Sequence, residues 1–166
     1  MRRSALMGLA AVAFVASNAF AQATSFAGTW NMVVDPAQQQ AAAGGAAGGR
    51  GGRGGGGFGP TFTIAQDAKT LTITRTMGEN TVNTVYNLDG TDSKNSVNMG
   101  GNAMEQISTA KWEGANLVVV TKIQRGENMI EQKRVWSLGA DGVLSIETTQ
   151  PGRDGTPTTS KVQYKK

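Results

Sequence analysis

Turn signals about every ten residues, strand-like runs rich in Thr, Val and Ile between them, and no convincing long helix predict an all-β chain. Short Gly- and Asp-Gly-containing links join sequential neighbours, which makes the expected arrangement an antiparallel meander. Closing such a meander removes its exposed edges. The predicted fold is therefore an antiparallel up-and-down β-barrel of about eight to ten strands, with a Gly-rich disordered loop after the first strand.

Residues 1–21 read as an export leader. Arg2 and Arg3 form a basic start, Ala5 to Val15 an uncharged apolar core, and Ala19-Phe20-Ala21 a small-x-small cleavage site near Ala21. The apolar run is too short to span a bilayer permanently, and no cysteine follows it for lipid attachment. The expectation is a soluble extracytoplasmic protein, periplasmic or secreted, with residues 22–166 forming one domain.

Phe26 to Val34 reads as the first strand, with Trp30, Met32 and Val34 on one face. Asp35-Pro36 resembles a helix start. Residues 36–60 are expected to be a short helix followed by a flexible Gly/Arg-rich flap, because glycine offers no side chains whose burial would offset ordering. Further strands are expected at 61–66, 70–77, 81–88, 95–99, 104–112, 116–125, 129–138, 143–150 and 157–165. Period-two alternation groups Leu71, Ile73 and Arg75, then Gln106, Ser108, Ala110 and Trp112, then Gln132, Arg134, Trp136 and Leu138. An inner face with apolar residues at one end and Gln or Arg at the other suits a semi-polar cavity. The alternative is that Arg75 and Arg134 merely rim the barrel in solvent.

Composition excludes several chemistries. His and Cys are both 0, so a Ser-His-Asp triad, a cysteine nucleophile and the usual zinc site are impossible. No cofactor is called for. Four of the sixteen basic residues (Arg2, Arg3, Arg50 and Arg53) lie in the leader or the Gly-rich tract, and the remaining twelve equal the twelve acidic ones. A formally neutral body argues against nucleic acid as a partner.

Gly28-Thr29-Trp30 on the first strand, followed by a large loop and a meander, resembles the lipocalins and their calycin relatives. The resemblance implies that Gly28 and Trp30 close the narrow end of a barrel. A basic residue of the last strand, Lys161 or Lys165, would lie across the indole. The Thr-Asp-Tyr motif of typical lipocalins is absent and the chain ends in a strand. The strand number looks more like a fatty-acid-binding protein, without that family's Arg-x-Tyr pair. The chain also resembles small exported bacterial proteins that share a GTW start and a Gly/Arg-rich loop.

Other motifs read as solvated structure. Asp89 to Asn95 has the look of a calcium loop, but contains Lys94 and meets Gly100 where a glutamate is needed. Glu105, Glu113, Glu131 and Glu147 fall on strands expected to be far apart or outward-facing, a poor basis for paired-carboxylate chemistry. The functional expectation is non-catalytic binding of a small apolar or anionic amphipathic molecule inside the barrel. Arg75, Gln106, Gln132, Arg134, Trp112 and Trp136 are the candidate lining. The competing expectation is an envelope structural or interaction protein with a filled barrel. Cavity room of roughly 300 Å³ or more favours a ligand.

Overall fold

The structure, a computed structural model, describes residues 24–33, 58–99, 102–125, 128–152 and 154–166. The leader and residues 36–57 lie outside the described residues. Ten strands follow in order: β1 (Gly28–Met32), β2 (Thr61–Gln66), β3 (Thr70–Met77), β4 (Asn80–Asn87), β5 (Ser93–Met99), β6 (Asn102–Glu113), β7 (Asn116–Arg125), β8 (Asn128–Leu138), β9 (Leu144–Pro151) and β10 (Pro157–Lys165). All pairings are antiparallel, and the spatial order is β4-β3-β2-β1-β10-β9-β8-β7-β6-β5. The expected strands are present, most within two residues of their predicted bounds. The first is shorter, because Phe26 precedes β1 rather than belonging to it.

The barrel is not formed. No main-chain ladder joins β4 to β5 among the described residues, so the sheet is open with two edge strands. The expected lipocalin-like closure, and with it the resemblance to that family, is overturned here. Side chains are the physical reason. Asn95 Oδ1 accepts the Val85 N–H at 2.8 Å, and Asn95 Nδ2 donates to the Val85 carbonyl at 2.9 Å. Ser93 Oγ accepts the Asn87 N–H at 2.7 Å. Polar side chains thus occupy the backbone groups of β4 that a ladder would need. Short-range alternation in sequence does not reveal this competition.

Bending brings distant strands together without closing the ladder. From β4 to β8 is six strand spacings, about 29 Å in a flat sheet. Yet the Tyr86 and Trp136 ring centroids are 6.4 Å apart. The concave face collects the core: Trp30, Phe62, Ile64, Leu71, Ile73, Tyr86, Val119, Trp136, Ile146 and Tyr164 are all buried. The convex face carries alternating charge on its second half, with Lys122 opposite Glu131 and Lys161 opposite Glu147.

The turns are fixed locally. Asp67 Oδ1 accepts the Lys69 and Thr70 N–H groups, both at 2.7 Å. These two backbone bonds hold the Asp67 carboxyl below its ordinary range. Gly28 is a position where glycine is required. Its φ is +135°, and a Cβ there would stand 2.8 Å from Lys166 Cε.

Candidate functional site

The concave face has a dry end and a wet end. At the dry end, the segment before β1 is tied down by Gln66, which accepts the Phe26 N–H at 2.8 Å and donates to the Thr24 carbonyl at 3.1 Å. Phe26 then stacks on Trp112 at 5.6 Å and meets Trp136 edge-on at 5.9 Å. Trp30 Nε1 donates to the Phe26 carbonyl at 2.8 Å, so the one polar atom of that buried ring is satisfied. Lys166 Nζ lies 5.1 Å from the Trp30 ring centroid. The cation over the indole is therefore Lys166, and neither Lys161 nor Lys165. Those two alternate with inward-facing Val162 and Tyr164, so they stand exposed on the convex face.

At the wet end lies a cavity of about 270 Å³, lined on one side by Arg75, Thr84 and Tyr86 and on the other by Gln106, Gln132 and Arg134, with Phe58 and Val97 also on its wall. The structure brings all four polar candidates to this one lining. Cross-strand registry explains the grouping: Val119 faces Arg134 and Thr121 faces Gln132 between β7 and β8, while Asn95 faces Gln106 between β5 and β6. Trp112 and Trp136 are not brought to it. They belong to the aromatic cluster around Phe26, which the strand parity alone did not separate from the cavity.

Phe58 divides the two ends and was missed as a site residue. It was grouped with the flexible tract, yet it is 5 % exposed. Its ring packs 5.3 Å from Trp136 and 5.4 Å from Phe62, and its N–H donates to the Tyr164 hydroxyl at 3.1 Å. On the other side it supports the arginines, with the Arg134 guanidinium carbon 5.0 Å and that of Arg75 6.0 Å from its centroid. The signal for it was present: Phe58 is the only aromatic residue in an otherwise Gly/Arg tract.

The cavity is electrostatically unbalanced. Among the described residues the one ion pair is Lys111–Glu113 at 3.0 Å, on the convex face. Among the described residues Arg75 Nε, Arg134 Nε, Gln132 Oε1 and, toward the dry end, Trp136 Nε1 are buried without a hydrogen-bond partner, although Gln132 Nε2 does reach Gln150 Oε1 at 2.8 Å. Burial lowers the Arg75 pKa from its ordinary value, Tyr86 opposes that, and Arg134 adds like-charge repulsion. The Arg75 guanidinium remains charged at neutral pH. Burial pushes the Tyr86 phenol up, against the pull of Arg134 and then Arg75. Tyr86 therefore presents a neutral hydroxyl. The four glutamates Glu105, Glu113, Glu131 and Glu147 are all exposed and away from this lining. Among the described residues no three His, Cys, Asp or Glu side chains gather to hold a metal.

The expectation of an apolar or amphipathic ligand inside a barrel is corrected by this geometry. No barrel encloses the space, and the aromatic end is filled by Phe26 and Trp136. The filled-barrel alternative fails equally, since the sheet is open and the wet end is hollow. No protein-family model matches the sequence, and no curated protein matches it.

Proposed function

We propose that the protein binds a small oxyanion, a carboxylate or a phosphate, without transforming it, between Arg75 and Arg134. One observation carries the reading: two guanidiniums face one cavity, and among the described residues each has a buried Nε lacking a partner and neither is paired with a carboxylate. A buried charge is costly unless paired and hydrogen-bonded, and an oxyanion supplies both at once through charge-assisted bonds. Gln106 and the Tyr86 hydroxyl add neutral donors around the same space, while Gln132 Nε2 is engaged by Gln150. The volume lies just below the range of about 300–1,000 Å³ usual for small-molecule sites, which favours a compact anion over a lipid. The proposal is limited to binding, which two guanidiniums and a neutral phenol can supply. The leader read over residues 1–21 would put this binding outside the cytoplasm.

Thermal unfolding in sodium phosphate and sodium acetate, against sodium chloride at equal ionic strength, tests the proposal. A ligand held only by the folded state stabilises it by about 2.7 kcal/mol at a hundredfold excess over Kd. The expected result is a saturable rise in Tm that disappears in Arg75→Met and Arg134→Met. A Tm that follows ionic strength alone would remove the proposal.

A further inference from the structure

The anion site lies beside a stretch of unpaired strand edge, and the two features fit one ligand. The Asn95 and Ser93 side chains clamp β4 to β5 at Val85 and Asn87. Both clamped residues turn their N–H and C=O groups toward β5. Backbone groups in an antiparallel strand point to alternate sides with period two, so those of Thr81 and Asn83 also face the seam. No ladder engages them among the described residues. The clamp therefore seals one half of the seam, and the other half carries main-chain donors and acceptors with no ladder bond among the described residues. The next residues along this open half, Thr84 on β4 and Val97 on β5, both line the arginine cavity. Arg75 stands opposite Val82, level with the open half.

We infer that the oxyanion is the C-terminal carboxylate of an extended peptide. This inference rests on the anion-binding reading above. The last three or so residues pair with the Thr81 and Asn83 main chain as an added strand, a recurring mode of peptide recognition. The clamp at Val85 and Asn95 stops the strand. The terminal carboxylate then turns between Thr84 and Val97 to meet Arg75 and Arg134. Backbone pairing supplies affinity without demanding a sequence, and the cavity of about 270 Å³ admits the terminal carboxylate. Chain termini are thus distinguished from internal segments, which carry no carboxylate at this point.

Calorimetric titration of the mature chain with acetyl-Ala-Ala-Val-Ala as the free acid, with its C-terminal amide and with acetate separates the readings. The free acid is expected to bind at least tenfold tighter than either of the others. N-methylation of the penultimate peptide nitrogen should weaken it severalfold, because an added strand loses a ladder bond. Arg134→Met should reduce the free acid to the level of the amide. If the free acid and acetate bind equally, the peptide inference is overturned while the anion site stands. If the amide matches the free acid, the carboxylate is not recognised and the inference also falls. If neither acetate, phosphate nor the peptide binds, both readings fall together.

Discussion

The two ends of the concave face share β6 and β8 and differ in charge: each end keeps a buried N–H without a partner, but only the wet end carries unpaired guanidiniums. At the dry end, each neighbour of Trp30 completes it: Phe26 accepts its N–H and Lys166 covers its face. At the wet end, two arginines share one phenylalanine ring, and each keeps an Nε without a partner. An apolar surface packed to this degree stabilises the fold, whereas buried unmatched charge weakens it. The fold is thus anchored at its aromatic end and carries unpaired, half-buried charge at the other. Phe58 is the residue through which the two ends touch.

The largest effect is expected from emptying the dry end. Trp30→Ala removes a ring that is 0 % exposed and leaves the Phe26 carbonyl without its donor. The expected loss in urea unfolding is about 3–5 kcal/mol. A loss no larger than that of an exposed control such as Thr63→Ala would show that the dry end does not anchor the sheet.

The wet end should respond with the opposite sign. Arg134→Met keeps an unbranched apolar stem, removes like-charge repulsion from Arg75 and one of the two partnerless guanidinium Nε atoms, and gives up the hydrogen bond to the Tyr86 hydroxyl. Relieving an unsatisfied buried polar group is worth about 1–3 kcal/mol, offset by the lost attraction to Phe58. A net gain of about 1 kcal/mol in chloride buffer is expected, together with lost response to phosphate. Destabilisation in chloride would mean that Arg134 is already satisfied in the free protein.

Much of this was legible in the sequence. The strands follow from β-branched runs between glycine turns, and the parity of Arg75, Gln106, Gln132 and Arg134 follows from period two. What was not legible depends on contacts between strands distant in the sheet. Asn95 sits in a stretch that looks like a solvated turn, yet its amide takes the place of a ladder, so sheet closure was expected where a seam exists. Phe58 hides in a glycine tract because composition averages over it. Trp112 and Trp136 share faces with the polar candidates but lie toward the other end, and alternation reports a side of the sheet without reporting position along it.

The smallest test concerns the cation on Trp30, where a displacement of one residue separates the expected contact from the observed one. Lys165 is exposed opposite Asn31, and Lys161 is exposed opposite Glu147. Lys166 returns to the concave side and lies over the indole, with Gly28 leaving room for its stem. A cation above an aromatic face at an exposed position contributes about 0.5–1 kcal/mol. Lys166→Met should therefore cost about that amount in urea unfolding and change the Trp30 fluorescence. Lys161→Met and Lys165→Met should leave both signals close to the parent, because surface substitutions away from such contacts usually fall within about 0.5 kcal/mol. Most of the fluorescence change should survive added salt, since the ring and the ammonium are in near contact and screening acts chiefly on more distant exposed charges. Equal effects from all three variants would reduce the contact to general charge attraction and remove Lys166 from the closure of the dry end.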